Sequence, residues 1–196
     1  MTNEERVGGK KLDIVKRAYD RFYDGGFHAT GVDTVLADSG ISKRTLYKHF
    51  PTKENLIEAV LHHYAAGVVQ NLFAPVRAKG GDARAQIEAF FDLRAAMIDA
   101  QPARGCLGIK AAQEYAGRHA GIAAWGERAA REVESQFVRL CEEVGVAHPA
   151  DLGRQINIVF QGTVVLAQAL GDSSPFVQAK QAVATLLDAA GTSRQA

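Results

Sequence analysis

Apolar positions recur at helical spacing along nearly the whole chain, and no stretch alternates in the manner of a β-strand. Leu12, Val15, Tyr19 and Phe22 follow steps of three and four residues, which predicts a helix over residues 11–24. Comparable stripes predict further helices over residues 53–73, 82–100, 109–116, 122–144, 149–170 and 175–189. With two short helices described below, the pattern indicates an all-α protein of about nine helices.

Prolines and glycines divide these patterns. The five prolines, at positions 51, 75, 102, 149 and 175, each fall between helical stretches rather than inside one. Because proline cannot continue a helix at its own N–H, each is expected at a helix boundary. Glycine pairs at positions 25–26 and 80–81 mark loops.

Residues 31–53, GVDTVLADSGISKRTLYKHFPTK, predict two short helices joined by a tight turn. Val32, Val35 and Leu36 form the apolar face of the first helix, and the Asp-Ser-Gly at positions 38–40 ends it, since glycine adopts left-handed backbone at little cost. Ser42 is a suitable N-cap for the second helix, which stops before the proline at position 51. Packed against the helix over residues 11–24, the pair predicts a three-helix unit.

The second short helix carries positive charge where a helix disfavours it. Lys43 and Arg44 fall in its first turn, where each cation costs roughly 0.3–1 kcal/mol against the helix dipole. No acidic residue lies between Asp38 and Glu54 to offset them. Three more basic residues follow: Lys48, His49 and Lys53. Such an arrangement indicates a site for an external anion. In a helix-turn-helix, the phosphates and base edges of DNA approach this end of the second helix.

The segment TGVxxVLAxSGISKRTLYKHFPTKENL, residues 30–56, resembles the DNA-binding signature of TetR-family transcriptional repressors. The likeness covers roughly residues 10–61, and Gly31 departs from it where the family often has a second threonine. It implies a flexible N-terminal arm over residues 1–9, a helix-turn-helix DNA-binding domain over 10–55, and a helical effector-binding and dimerisation domain over 56–196.

The resemblance also implies a DNA-binding surface. Its nine residues are Thr30, Ser42, Lys43, Arg44, Thr45, Tyr47, Lys48, His49 and Lys53. Arg44 and Thr45, near the helix start, are expected at base edges, whereas Tyr47, His49 and Lys53 are assigned to phosphates. Thr30 also fits a capping signal with Asp33, three residues later.

Composition restricts where on the protein DNA can bind and indicates the compartment in which the protein is expected. The 196 residues carry a net charge of only +1, so the protein is not a polybasic coat and its DNA-binding surface must be a local patch. Two cysteines, Cys106 and Cys141, form neither a disulfide framework nor a metal-ligand pair, which is typical of a reducing cytosol. No signal peptide and no membrane-spanning run is apparent, so we expect a cytoplasmic protein without membrane contact.

Residues 156–170, INIVFQGTVVLAQAL, are apolar on almost all sides and contain no charge. A helix of this kind is too short for a membrane and is interrupted by glutamines, so it is expected to be buried on two faces, by its own core and by a second subunit. We therefore expect a homodimer that pairs through the helices of residues 151–170 and 175–189.

The effector site is less well marked. Cys106 lies in RGCLGIK, which resembles the start of a mid-domain helix in TetR-like regulators, some of which sense electrophiles through a cysteine. Arg104 and Lys110 are near enough to favour a reactive thiolate; the alternative is a cysteine that simply packs as a small apolar residue. Six residues are candidate pocket residues: Phe90, Met97, Cys106, Tyr115, Trp125 and Phe160.

The functional prediction is a ligand-responsive repressor that binds a palindromic operator as a homodimer and is released by a small-molecule inducer or a reactive electrophile. The alternative is an architectural DNA-binding protein with no ligand response. No nucleophile–base pair, phosphate-binding glycine loop or metal motif is present, so neither catalysis nor a cofactor is expected. The adjacent His62 and His63 point about 100° apart on a helix and cannot share a metal ion.

Overall fold

The computed structural model describes residues 3–101 and 104–191, with side chains from Gly9 onward. In that part of the chain every regular element is an α-helix. The nine helices are α1 (Asn3–Gly25), α2 (Val32–Leu36), α3 (Lys43–His49), α4 (Lys53–Lys79), α5 (Ala83–Ala100), α6 (Leu107–Tyr115), α7 (Ala120–Val144), α8 (Pro149–Leu170) and α9 (Ser174–Ala189). No helix among the described residues is long and apolar enough to cross a membrane.

Two helix bounds differ from those expected by more than two residues. α1 begins at Asn3 rather than residue 11; the expected arm of residues 1–9 lies partly outside the described residues. Acidic residues at positions 4 and 5 favour a helix start there, and a glycine inside a helix costs only about 1 kcal/mol. α4 continues to Lys79 with Pro75 inside it, so the prediction that every proline lies outside a helix is wrong. Burial of Phe73 and Val76 on either side of this proline favours continuing the helix.

The chain divides into two compact units. The first unit comprises Met1–Gly67 and Leu107–Arg128, and the second comprises Val68–Cys106 and Ala129–Ala196. The core of the first unit joins α1 to α2 and α3 as expected, through Val15, Phe22, Val35, Leu46 and Phe50. Leu12 was expected in this core but is 43% exposed, so that part of the stripe prediction is wrong.

The first unit also includes α6 and the beginning of α7. Leu107, Ala111, Tyr115 and Ile122 are buried in the same apolar cluster as the α1–α3 side chains. The three N-terminal helices therefore share their core with a segment more than forty residues further along the chain.

The core of the second unit centres on four phenylalanines from four helices. Phe90 of α5 lies 4.9 Å from Phe73, 5.0 Å from Phe137 and 5.0 Å from Phe160, measured between ring centroids. The rings of Phe137 and Phe160 are roughly perpendicular to that of Phe90, the edge-to-face arrangement that aromatic pairs favour. α9 packs on both α5 and α8 and closes this core.

One face of α8 remains uncovered in the chain. The opposite face is buried, yet five apolar side chains on α8 and α9 are more than half exposed: Ile158, Val165, Leu166, Leu170 and Val177. The first four recur at seven-, eight- and twelve-residue steps along α8, which places them on one side of the helix. A contiguous apolar face of this kind is unusual on a monomer.

Candidate nucleic-acid interface

The turn between α2 and α3 is fixed by backbone conformation and one serine. Gly40 has φ 66°, in the left-handed region that favours glycine, and Asp38 has φ 57°. The Ser39 hydroxyl donates to the carbonyl of Leu36 at 2.7 Å and accepts from the amide of Ile41 at 3.0 Å. The turn expected at positions 38–40 is therefore confirmed.

α3 is capped at its start and anchored on one side. The Ser42 hydroxyl accepts the backbone N–H of Thr45 at 3.1 Å, which confirms the predicted cap. Leu46 is fully buried and the ring of Phe50, just after the helix, is nearly so. Because these residues fix the rotation of α3, its opposite side faces outward. The exposed side chains there are Lys43, Arg44, Tyr47 and Lys48.

Lys43 has an acidic partner that the sequence analysis missed. Its ammonium lies 2.8 Å from a carboxylate oxygen of Asp33 on α2, so the expectation of an unopposed charge is wrong at this residue. The hydrogen bond that Lys43 donates to the Asp33 carboxylate raises the pKa of Lys43. Both side chains are more than half exposed, so water competes for the pair and a phosphate has access to Lys43.

Thr30 does not cap α2. The N-cap is Gly31, with no side-chain hydrogen bond, and the Thr30 hydroxyl donates instead to the carbonyl of Arg21 at 3.2 Å. Thr30 is 3% exposed, so this bond ties the loop to α1 from within the fold. The capping prediction is wrong; the phosphate contact assigned to Thr30 stays a prediction.

Lys53 begins α4 beside the loop between α1 and α2. Thr52 caps the helix by accepting the backbone N–H of Asn55 at 3.1 Å. The Lys53 ammonium lies 3.4 Å from the carbonyl oxygen of His28 and 6.0 Å from the centroid of the Phe22 ring. These contacts place a half-buried cation at the first turn of α4, next to the helix-turn-helix.

Glu114 of α6 binds the same loop and was missed from sequence. Its carboxylate accepts the backbone N–H groups of Phe27 at 3.0 Å and of His28 at 2.7 Å. The carboxylate lies so near the backbone that a Cβ on Gly26, where φ is 78°, would sit 3.2 Å from one of its oxygens. The His28 ring stacks on Tyr115 with centroids 4.6 Å apart. No local motif signals a bond across 87 residues of sequence.

The candidate effector residues are distributed over both units. Phe90 and Phe160 lie together in the core of the second unit, whereas Tyr115 and Trp125 belong to the first. The Met97 side chain, on α5, is 48% exposed. Cys106 is partly buried just before α6. Among the described residues, no three histidine, cysteine or acidic side chains are grouped to hold a metal ion.

The two cysteines differ in environment, which predicts selective labelling. Burial raises the pKa of the Cys141 thiol to about 11, so only about one molecule in a thousand carries the thiolate at pH 8. We expect iodoacetamide at pH 8 to leave Cys141 unmodified in the folded protein and to modify it fully in denaturant, as read by peptide mass spectrometry. Rapid labelling of Cys141 in the folded chain would show that α7 does not bury it.

Comparison with known proteins agrees with this geometry. Residues 14–60 match the model of bacterial regulatory proteins of the tetR family. The transcriptional activator FasR of Mycolicibacterium smegmatis is 37% identical over 95 residues, which span 47% of this chain and 42% of FasR. The transcriptional regulator YxaF of Bacillus subtilis is 27% identical over 185 residues, which span 92% and 96% of the two chains. The chain thus spans less than half of FasR but nearly all of YxaF.

A solved structure extends the likeness to the fold. The TetR-family regulator SCO4454 of Streptomyces coelicolor superposes with a TM-score of 0.80 at 23% identity, covering 91% of this chain and 94% of that one. The fold and the α2–α3 corner therefore define a helix-turn-helix DNA-binding protein. More particularly, the match over residues 14–60 and the relatives together support a TetR-family transcriptional regulator. Members of this family are DNA-binding transcription factors rather than enzymes, and are generally ligand-responsive repressors.

Proposed function

We propose that this TetR-family regulator is a homodimeric repressor that leaves a palindromic operator when an inducer binds. The observation that carries the proposal is the outward face of α3, where Lys43, Arg44, Tyr47 and Lys48 are exposed while Leu46 is fully buried. The nearly neutral chain thus offers its positive charge at the helix that a helix-turn-helix inserts into the major groove.

Base and phosphate contacts have separate roles on this surface. Arg44 and Thr45, in the first turn of α3, are positioned for base edges, and arginine paired to guanine is the commonest specific contact. Tyr47, His49 and Lys53 serve the phosphate backbone, together with the partly neutralised Lys43. Phosphate contacts set the register of the protein and base contacts select the sequence.

A dimer follows from the uncovered face of α8. Burying this face against a second copy, with α9 alongside, removes from water the most exposed of the large apolar side chains in the described part of the chain. The interface lies on residues 151–170 and 175–189. A twofold dimer places its two recognition helices in successive major grooves, about 34–36 Å apart.

We place DNA binding in residues 10–55 and effector binding and dimerisation in residues 56–196. The helix α4 runs without interruption from Lys53 to Lys79 and so belongs to both parts. An inducer needs a coupling free energy of only about 1–3 kcal/mol to shift operator affinity. A small molecule is the proposed effector; an electrophile that modifies Cys106 is the other possible trigger.

Lys53→Ala tests the assignment of this residue to phosphate. Removing one phosphate contact per protomer should weaken binding to specific and random duplexes alike and flatten the slope of log affinity against log salt by about one unit per contact. Fluorescence anisotropy across a salt series measures both quantities. Lys79→Ala, which removes an exposed lysine from the other end of α4, is the matched control and should leave the slope unchanged. An unchanged slope in Lys53→Ala would remove this residue from the interface.

A further inference from the structure

A cleft of about 340 Å³ opens in the second unit between α4, α5 and α7. Its apolar floor consists of Phe73, Val76 and Leu140, each at most 8% exposed. Arg77 and Arg139 also line it, from α4 and α7 respectively. The cleft therefore combines an apolar surface with two guanidinium groups, and its volume lies within the range of small-molecule sites.

One buried side chain leaves a hydrogen-bond donor at this cleft. Gln136 is 5% exposed, and its amide oxygen accepts from the guanidinium of Arg77 at 2.6 Å. Because arginine can only donate, the amide nitrogen of Gln136 is the atom left for another acceptor. No hydrogen bond to that nitrogen is found within residues 9–101 and 104–191. This nitrogen is therefore available to donate a hydrogen bond to a ligand oxygen.

The charge around the cleft favours an anion. Arg77 and Arg139 face one acid in the lining, Glu143, which follows Arg139 by one helical turn. Within the described part of the chain, no ion pair joins Arg139 to an acidic residue. The planar guanidinium fork suits a carboxylate, which it binds with two parallel hydrogen bonds.

We propose that this cleft binds a small amphipathic carboxylate, with its anionic head between Arg77, Arg139 and the amide of Gln136 and its hydrocarbon on Phe73, Val76 and Leu140. The inference rests on the proposed function in one respect, because it names the chemical class of the inducer. Binding to the cleft itself does not depend on DNA.

Octanoate is the probe, and isothermal titration of the full-length protein is the measurement. We expect saturable binding with a dissociation constant of about 0.1–1 mM, typical of a ligand with about ten heavy atoms. Octanol and octylammonium have the same hydrocarbon length, and each should bind at least about tenfold more weakly because the guanidinium groups favour an anion. Equal binding of octanol and octanoate, or no saturation by about 5 mM octanoate, would overturn the proposal.

Variants that are expected to change octanoate affinity in opposite directions distinguish a charged binding site from a general loss of folding. Arg139→Met and Arg77→Met keep much of the side-chain bulk and should each weaken octanoate binding about fivefold or more. Glu143→Gln removes the opposing charge and should strengthen binding about twofold. Arg131→Met, which removes an exposed arginine from α7 outside the cleft, should bind octanoate as the parent does. If Glu143→Gln weakens binding, or if the Arg139 and Arg131 variants behave alike, the head group does not lie where we place it.

The two proposals fail separately. Operator binding without octanoate tests the proposed regulatory function, and octanoate binding without DNA tests the cleft. If the cleft is the inducer site, saturating octanoate should release the parent protein from the operator. The same concentration should not release Arg139→Met. Octanoate that binds in the cleft and leaves operator affinity unchanged would overturn its assignment as the inducer class.

Discussion

Leu166→Glu should convert the dimer to a monomer and abolish high-affinity operator binding. Leu166 lies on the exposed face of α8, and burying such a side chain contributes about 1.5–3 kcal/mol. A twofold interface contains the residue twice, so the substitution removes both contributions and introduces two carboxylates there. We expect the dimer dissociation constant to rise by at least about a thousandfold, measured by light scattering at micromolar concentration.

The control adds the same charge away from this face. Gln70→Glu introduces a carboxylate at an exposed position on α4 and should leave both mass and operator affinity unchanged. The thermal unfolding transition of a Leu166→Glu monomer should remain sharp, because the inner face of α8 is intact. A wild-type chain that is already monomeric at micromolar concentration, or a Leu166→Glu dimer, would contradict the assignment of α8 to the interface.

Gly126→Ala should lower the free energy of unfolding by about 1–3 kcal/mol, the cost of forcing an extra methyl into a closely packed contact. A Cβ at this position of α7 would clash with the Cβ of Ala112 and would lie 2.9 Å from the carbonyl oxygen of Gly108, both on α6. Since the second of these is backbone, the helices themselves must separate. Thermal unfolding should show a melting temperature lower by about 3–10 °C.

The same substitution in open space should have the opposite sign. Gly9 lies in α1, and a Cβ added there meets no atom within 4 Å. Gly9→Ala should therefore stabilise the chain by up to about 1 kcal/mol through helix propensity alone. Equal and stabilising effects of the two substitutions would show that α6 and α7 are not in close contact at Gly126.

Local signals predicted much of the DNA-binding corner. The turn at residues 38–40, the Ser42 cap and the inward Leu46 all follow from a few neighbouring residues, and the structure confirms each of them. Interactions of this kind depend on backbone conformation and on side chains within one helical turn. The all-helical fold was predictable for the same reason, since each long helix carries its own apolar periodicity.

Contacts between distant residues were not predictable in this way. The pairing of Lys43 with Asp33 required the angle between α2 and α3, and the bonds from Glu114 to the loop at Phe27 required the packing of α6. The inside position of Pro75 in α4 was also missed, because burial of its neighbours outweighs the local preference of proline. The nine-residue DNA-binding set and the six candidate effector residues stay predictions.

The most direct test of the central claim is duplex binding by the double variant Arg44→Ala/Lys48→Ala, followed by fluorescence anisotropy on an operator selected from random duplexes. Both side chains are exposed on α3, and their loss leaves the buried Leu46 and the Ser42 cap in place. The basic face of α3 should be required for duplex binding, so the affinity of the dimer for the operator should fall at least about a hundredfold. The control Lys79→Ala/Arg131→Ala removes the same charge from exposed positions outside α3 and outside the proposed interface, and it should bind as the parent does. Parental affinity in Arg44→Ala/Lys48→Ala would contradict the assignment of α3 as the DNA-reading helix.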